Sequence, residues 1–413
     1  MRKKKFIIAS LVILFFVSWK TIDFSPKPIK NIKRKKHGTI VRKISNNEIL
    51  YIKLFSQLKI ESFTLAPETG KYRIWANGIE VANTETFKIV KLSCVNDSIE
   101  IRAFETVIGK YKHVKIASQD SIKTFRLKLM SPDRKPRFYQ DNLLITAELG
   151  ELKCVNEIVL DNYIAGVVQA ESGKRSYSEF YKVQAIMART FALSNLQKHA
   201  GEDFNLCDHT HCQVYFGKST EADILKSVRD TKGKVVVDDD LNLIDATFHS
   251  NSGGQTANSE DVWGRKLPYL RSVKDTFSIK MPNAKWERKI AKDEWLTYLK
   301  AQHNYPIEDT VARKKALNFK QEVRIPYLEM NTIKVPLKNV RTDFQLKSTF
   351  FSIVQDGDSV IFKGRGFGHG VGMCQEGAMH MAKLGYKHTD VINFYYQKIQ
   401  LIDLYKLSFF RDE

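Results

Sequence analysis

Hydrophobic and polar positions alternate from Glu48 to about Met130, a pattern typical of strands with one buried face. The clearest example is YRIWANGIEVA (Tyr72–Ala82), where two short apolar runs flank Asn77-Gly78, a dipeptide that favours a tight hairpin turn. The segments SIEIRAF and FRLKLM continue the alternation. The pattern therefore predicts a small β-rich N-terminal lobe over residues 48–130, and the turn-forming segment SPDRKPR marks its end.

Beyond this boundary the pattern becomes mixed. Two strand-like segments, NLLITAEL and NEIVL, precede a stretch in which apolar residues recur at helical spacing, at Phe180, Val183, Met187 and Phe191. Ser176 and Glu179 have the spacing of a capping box, which predicts that a helix begins there. We expect a larger second lobe over residues 131–405, and the fold class is α+β with mixed sheets and helices.

The most unusual pattern is GRGFGHGVGMCQEGA, in which glycine occupies every second position from Gly364 to Gly372. Side chains of an extended strand alternate between its faces, so one face would be bare backbone. We therefore predict a strand whose glycine face is approached closely by a polymer or a packed helix, with Arg365, Phe367 and His369 on the other face. A glycine-rich loop is the alternative interpretation.

Charge and the N-terminus suggest a location. The net charge of +20 implies an anionic neighbour, and no zinc-finger, homeodomain or RNP1-like motif points to nucleic acid. Residues 1–20 place four basic residues before an apolar run over 6–19, the layout of an export signal. A small-residue cleavage site is missing, which favours an uncleaved signal-anchor over a cleaved signal. A basic linker over 21–47 follows, so we expect a protein of the cell envelope, anchored in the cytoplasmic membrane by residues 6–19.

One carboxyl group stands out in the segment DNYIAGVVQAESG. Glu171 ends an apolar run, and no other acidic residue lies between Asp161 and Glu179. Apolar neighbours raise the pKa of a carboxyl group, and a carboxyl that keeps its proton near neutral pH can act as a general acid. The competing interpretation is a cap or dipole partner at a helix N-terminus.

A cluster of potential metal ligands follows in KHAGEDFNLCDHTHCQVYFG. Cys207, His211 and Cys212 lie within six positions, with His199 before them and His209 nearby. Two thiolates and two imidazoles would form a closed tetrahedral set for structural zinc. A Cys207–Cys212 disulfide is the alternative in an oxidising compartment, but it would close a very short loop and leave the histidines unexplained.

The segment FHSNSGGQTANSEDVWGRKLPYL suggests a binding rim. His249 and Ser250 lie in a flexible polar stretch, but the nucleophile-elbow pattern G-x-S-x-G is absent. Because pyranose rings stack on aromatic side chains, the following Trp263 and Tyr269 favour a sugar-binding rim. An ordinary loop is the alternative.

These motifs, in this order, resemble the stage II sporulation protein D family, which also includes amidase-enhancer relatives. The resemblance rests on YIAGVVQAE, VQAIMARTFA, CDHTHCQVY, FHSNSGGQT, VWGRKLPYL and GRGFGHGVGMCQ. It covers about Pro136 to Leu404, and the last motif is the most specific. The resemblance implies a membrane-anchored lytic transglycosylase that cuts the glycan strands of peptidoglycan. It places the family's catalytic glutamate at Glu171, and its metal cluster at Cys207, His211 and Cys212, with His199 as the fourth ligand.

Other features of the resemblance define candidates and alternatives. Cys374 and Ser172 depart from the Ser and Met that relatives commonly have there. Candidates for holding the glycan, besides the two aromatic residues above, are Arg189, His249, Ser250, Arg365 and His369. The runner-up function is a non-catalytic glycan-binding activator of a cell-wall amidase. A Cys374–His369 nucleophile pair and a zinc hydrolase are further alternatives, and the latter would need an open coordination position.

Overall fold

The computed structural model describes residues 48–406 and has the predicted α+β architecture. The predicted signal-anchor over 1–20 and the basic linker over 21–47 lie outside the described residues. Within 48–406, no helix combines the length and the apolar character needed to cross a membrane.

Two sheets dominate the N-terminal half. The first has seven strands, in spatial order β13 (Leu206–Cys207), β1 (Ile49–Lys53), β12 (Glu151–Val159), β11 (Asn142–Glu148), β8 (His113–Ala117), β3 (Arg73–Ala76) and β4 (Ile79–Asn83). The second has six strands, in spatial order β10 (Arg137–Gln140), β9 (Thr124–Ser131), β2 (Ser62–Thr69), β5 (Val90–Val95), β6 (Ser98–Ala103) and β7 (Thr106–Tyr111).

The hairpin predicted at Asn77-Gly78 is confirmed. Strands β3 and β4 pair on either side of it, and Asn77 and Gly78 have φ values of 51° and 78°. Both residues are therefore left-handed, as a two-residue turn matching the twist of the strands requires.

The predicted boundary near residue 131 does not separate two sheets. β1 pairs antiparallel with β12, and it also pairs parallel with β13, far along the chain. The strands β9 and β10, on either side of the SPDRKPR segment, pair with each other. The β-rich N-terminal residues and the start of the second lobe therefore share both sheets and one continuous hydrophobic core from Leu50 to Leu404.

Nine helices lie within the described residues: α1 (Leu160–Ser172), α2 (Ser178–Ser194), α3 (Ala222–Asp230), α4 (Ser259–Trp263), α5 (Lys292–His303), α6 (Thr310–Leu317), α7 (Leu337–Asp343), α8 (Gln375–Lys383) and α9 (His388–Tyr395). The remaining strands of the main body are two pairs, β14 (Lys234–Asp238) with β22 (Ile399–Asp403), and β15 (Phe248–His249) with β21 (Met373–Cys374).

The capping box predicted at Ser176 and Glu179 is wrong. Helix α2 starts at Ser178, and its N-cap residue Tyr177 makes no side-chain capping bond. The Glu179 carboxylate instead accepts hydrogen bonds from Lys182 and from the backbone amide of His388. Glu179 therefore binds residues outside the first turn of the helix instead of capping the helix N-terminus.

Residues 285–365 form what we call the inserted module, which has its own hydrophobic cluster from Trp286 to Phe362. It contains α5–α7, a three-stranded sheet and a hairpin: β16 (Lys285–Ala291), β20 (Ser359–Arg365) and β19 (Phe351–Asp356), with β17 (Tyr327–Met330) and β18 (Ile333–Pro336). Sequence patterning gave no sign of this second core.

Candidate active site and metal centre

Glu171 lies at the C-terminal end of α1, not at a helix N-terminus. Its Oε1 accepts a hydrogen bond of 3.0 Å from the backbone amide of Val214. Gly166, five residues earlier on α1, explains why the segment carrying Val214 can lie so close. A Cβ at Gly166 would lie 2.5 Å from the Tyr215 ring and 2.3 Å from the carbonyl oxygen of Gly217.

Burial raises the pKa of the Glu171 carboxyl, and the Val214 hydrogen bond partly opposes this shift. A neighbouring carboxylate is not among the causes, as far as residues 48–406 are concerned. The environment therefore favours a carboxyl that holds its proton to higher pH than an exposed glutamate does. This is the property required of a general acid, and the position at a helix C-terminus removes the N-terminal capping alternative.

The four predicted metal ligands come together in space. One ligand atom from each of His199, Cys207, His211 and Cys212 lies within 4.8 Å of all the others. Both cysteines are free thiols, so the disulfide alternative is not formed. The Cys212 Sγ is 3.4 Å from His199 Nε2 and 3.7 Å from His211 Nδ1.

These separations can be compared with a tetrahedral zinc site. Zn–S bonds of about 2.3 Å and Zn–N bonds of about 2.0–2.1 Å at tetrahedral angles would place S and N about 3.6 Å apart. The observed spacings match this value. Glu202 Oε1 lies 2.7 Å from His199 Nδ1, so it orients the ring with Nε2 toward the cluster, as an outer-shell carboxylate does in metal sites. The residues present therefore fit a zinc ion.

The ligand cluster and Glu171 are connected through a short backbone segment. Val214 follows Cys212 by two residues, and Gln213 between them accepts a hydrogen bond from the Tyr163 hydroxyl on α1. The other end of the segment is fixed by Asp208, whose carboxylate accepts bonds from the backbone amides at positions 55 and 56. Anything that orders the ligand cluster also positions the amide that binds Glu171.

The glycine motif differs from the predicted strand. β20 ends at Arg365, and the four glycines that follow at alternate positions all have positive φ, between 70° and 110°: Gly366, Gly368, Gly370 and Gly372. The motif is therefore the alternative, a glycine-rich loop. Repeated left-handed residues require glycine as strongly as a bare strand face would.

The close approach predicted at the glycines is present, but the partner is neither a polymer nor a helix: it is the segment around β15. A Cβ at Gly366 would lie 2.5 Å from the carbonyl oxygen of Asn251, and one at Gly372 would lie 2.2 Å from that of Thr247. At Gly368 it would meet the Cβ of His249 at 2.9 Å. The FHSN segment packs on the loop, and β15 pairs with β21 at its end.

His249 and His369 lie next to each other, with ring centroids 5.6 Å apart. His249 is 4% exposed, and its Nδ1 lies 3.1 Å from the carbonyl oxygen of Val371. His369 Nε2 lies 3.0 Å from the carbonyl oxygen of Phe248, and its Nδ1 accepts from the Val371 amide. Burial lowers the pKa of both rings, to about 4 for His369. Both are therefore neutral rings that fasten the loop to β15.

Trp263 and Ser250 are accessible, as a glycan rim requires. Trp263 is 47% exposed, and its ring lies 5.2 Å from that of His369. Ser250 is half-buried, and its Oγ accepts from Asn283. Cys374 is buried and accepts bonds from the amides of Ser252 and Gly377 at the start of α8, and these contacts account for it without a nucleophilic role.

Three predicted binding residues have structural contacts instead. Arg189 is 1% exposed, forms an ion pair with Asp161 and donates to backbone carbonyls, so it cannot reach a glycan. Tyr269 is 7% exposed, and its hydroxyl accepts from the Asp245 amide. Arg365 stacks on the Phe350 ring at 3.6 Å and donates to carbonyl groups of the inserted module.

Sequence reasoning missed two groups that contact Glu171. The Val214 amide is a backbone donor, which leaves no signature in side-chain patterns. Gln375 Nε2 donates to the carbonyl oxygen of Glu171 at 3.4 Å, and this residue lies within the recognised glycine motif. Gln375 links the glycine motif to Glu171, and Val214 links Glu171 to the ligand cluster. The β15–β21 pair joins the FHSN segment to the glycine motif, so the four motifs form one connected region.

Comparisons with known proteins find relatives of the family that the motifs resemble. A family described as "Stage II sporulation protein" matches residues 148–237. Stage II sporulation protein D of Bacillus subtilis is 31% identical over 263 residues, which cover 60% of this chain and 75% of that protein. The protein of the same name from Bacillus amyloliquefaciens matches to the same extent. An amidase enhancer of Bacillus subtilis is 26% identical over 285 residues, covering 56% of this chain and 39% of that protein.

Proposed function

The chain belongs to the stage II sporulation protein D family, and from this premise we propose that it is a lytic transglycosylase that cuts peptidoglycan glycan strands. Glu171 would be the general acid and base. The observation that carries the proposal is the partly buried Glu171 carboxyl, which has a raised pKa and, within residues 48–406, one hydrogen-bond donor, the Val214 amide.

The proposed reaction needs one carboxyl group. Glycosidases that use water employ two carboxyl groups, one as acid and the other as base or nucleophile. In a lytic transglycosylase, Glu171 would protonate the oxygen of the scissile glycosidic bond as its bond to the anomeric carbon breaks. The 6-hydroxyl of the same sugar attacks that carbon, and the Glu171 carboxylate takes the hydroxyl proton. The products are a strand with a free hydroxyl end and one with a 1,6-anhydro end, and the enzyme is regenerated.

We further propose that the cluster of His199, Cys207, His211 and Cys212 holds a structural zinc ion. Such an ion would stabilise the fold, because four protein ligands leave no open position for water. The chain itself supplies the link to catalysis, since the ligand segment leads directly to the Val214 amide.

The proposal includes a location in the cell envelope, since peptidoglycan lies there. The apolar run over residues 6–19 would serve as the membrane anchor, and the basic linker would lie near the anionic membrane surface.

Product analysis tests the proposal. Purified protein is incubated with purified peptidoglycan, and the products are identified by mass spectrometry, with Glu171→Gln as the control for contaminating activity. We expect anhydro-muramyl ends from the unaltered protein only. Reducing ends that carry an added water would indicate a hydrolase, and the transglycosylase proposal would be wrong.

A second candidate is a non-catalytic protein that binds glycan strands and activates a cell-wall amidase. The relative described as an amidase enhancer favours it. Intact strands in the experiment above, together with faster release of stem peptides when an amidase is added, would support this function instead.

A further inference from the structure

The outer face of the seven-stranded sheet carries a cleft of about 340 Å³, and none of the motif residues described above line it. A tryptophan lies among its lining residues. Trp75 on β3 is directly opposite Lys115 on β8 and Glu80 on β4, so the three side chains project from the same face. Arg73 lies on the same face opposite Ala117, whose small side chain leaves space beside the Trp75 ring.

The charged groups around Trp75 are neutralised within the protein. Each cation of the cleft has a carboxylate partner, and the pairs are Lys71–Glu85 at 2.7 Å, Arg73–Glu80 at 3.4 Å and Lys115–Glu157 at 2.7 Å. The exposed carboxamide of Gln119 and the carboxylate of Asp120 complete the rim. The cleft thus offers many hydrogen-bond donors and acceptors without an unpaired positive group. This arrangement disfavours a phosphate or another strong anion as the ligand.

We propose that the Trp75 cleft is a carbohydrate-binding site separate from Glu171. Sugar rings have an apolar face of C–H groups, which stacks on a flat aromatic ring, and hydroxyl groups around the edge that both donate and accept. A half-buried tryptophan surrounded by paired charged side chains and a carboxamide matches both requirements. The carbohydrate class follows from the cleft itself. Its identification as the amino-sugar chain of peptidoglycan rests on the proposed function.

In this proposal the cleft is an additional contact on the polymer that Glu171 would cleave. β8 and β11 lie between β3 and β12, the strand that leads into α1 and Glu171. With strands about 4.8 Å apart, β3 lies about 14 Å from β12 across the sheet. A second contact on one long strand raises its apparent affinity by increasing effective concentration, whereas a short fragment cannot use both sites.

Titration calorimetry of the full chain with a β-1,4-linked N-acetylglucosamine hexasaccharide tests the proposal. We expect Trp75→Ala to weaken binding about tenfold or more and Trp75→Phe to restore part of the affinity, because stacking depends on the size of the ring. Gln119→Ala, at an exposed position that does not threaten folding, should weaken binding by a factor of about three. Phe104→Ala is the control, because Phe104 is 81% exposed and outside the cleft. Unchanged affinity in both Trp75→Ala and Gln119→Ala would overturn the proposal, as would loss of binding in Trp263→Ala alone.

Cleavage assays separate this proposal from the proposed function. With intact peptidoglycan, Trp75→Ala should raise the substrate concentration needed for half-maximal cleavage, because the second contact on the strand is lost. If Glu171→Gln cleaves normally while Trp75→Ala loses hexasaccharide binding, the transglycosylase proposal fails and the cleft stands. If Glu171→Gln is inactive and Trp75→Ala binds normally, only the cleft proposal fails.

Discussion

Burial shifts the pKa of Glu171 and the pKa values of His249 and His369 in opposite directions, although these residues belong to one connected region. Burial raises the pKa of Glu171, which therefore tends to keep a proton, and lowers the pKa of both histidines, which lose theirs. Only the Val214 amide donates to the Glu171 carboxyl within residues 48–406, whereas the histidine rings are tied to backbone carbonyls. The carboxyl therefore has a proton and an oxygen to offer a substrate, while the histidines hold the glycine-rich loop in place.

The largest expected effect is on turnover, in Glu171→Gln. General acid–base catalysis contributes about 10²–10⁴-fold, so turnover on peptidoglycan should fall by at least about two orders of magnitude. The fold should not suffer. A carboxyl whose folded pKa is raised contributes less stability as pH rises past its unfolded value, and Gln removes this penalty.

Thermal unfolding and turnover are measured on the same purified variant, at neutral pH. Glu329→Gln is the control, since Glu329 pairs with Lys334 across the β17–β18 hairpin of the inserted module. If Glu171→Gln lost about 1 kcal/mol of stability with turnover nearly intact, Glu171 would have a structural role only.

Loss of a predicted metal ligand should disturb the surroundings of Glu171 and leave the contacts of His249 and His369 intact. Cys207→Ser should abolish stoichiometric zinc, lower the melting temperature and reduce turnover about tenfold or more, because the segment that carries Val214 loses its anchor. Elemental analysis should find one zinc per chain in the unaltered protein. Cys94→Ser, a free cysteine outside the cluster, should change none of these values. A fully folded, active protein without metal would contradict the zinc proposal.

Gly372→Ala should destabilise the glycine-rich loop that His249 and His369 hold in place. Its φ is 70°, and the new Cβ would lie 2.2 Å from the Thr247 carbonyl oxygen, so we expect a loss of about 3 kcal/mol in the free energy of unfolding. Gly264→Ala is the matched control, because φ is 74° there and the space is open. It should cost about 1 kcal/mol, since only the backbone conformation is unfavourable. Equal losses in chemical denaturation would mean that the packing of Thr247 on the loop contributes nothing.

The smallest effect concerns the pH dependence of stability. The folded pKa of His369 is about 4, below the ordinary value of 6.5, so the unfolded state binds more protons between these limits. The contribution of His369 is thus fully present above pH 6.5 and is lost as pH falls toward 4, up to about 3 kcal/mol in total.

His369→Gln, which can keep both hydrogen bonds, should flatten the stability profile between pH 4 and pH 6.5 in denaturant titrations. His249 and His303, whose pKa values burial lowers in the same direction, contribute to the slope that remains. His113→Gln, at an exposed position on β8, should leave the profile unchanged. An unaltered slope in His369→Gln would show that the ring does not titrate as the geometry implies.

The sequence predicted best where the relevant residues lie close together along the chain. The Asn77-Gly78 turn depends only on local backbone conformation, and three of the four predicted metal ligands, which do come together in space, lie within six positions. Glu171 was selected because it ends an apolar run, and burial does raise the pKa of its carboxyl.

Prediction failed where contacts with a distant segment of the chain determine the conformation or the burial of a residue. Alternating glycines suit both a bare strand and a left-handed loop, and the packing of Thr247 and Asn251 selects the loop. Arg189 lies in a recognised motif, but only the packing of α2 on α3 shows that it is buried. The shared sheets were missed because β1 pairs with β12 across about a hundred residues, a register that no local pattern encodes.

The two ends of the inserted module, Lys285 and Arg365, lie side by side, and this has an evolutionary consequence. β16 and β20 begin and end in register, with Lys285 directly opposite Arg365, so the two chain crossings are about 5 Å apart. A unit whose ends meet in this way, and whose interior apolar residues form their own cluster, can be exchanged as a cassette without lengthening any connection in its host. The length of this unit can therefore change without altering the path of the chain around Glu171.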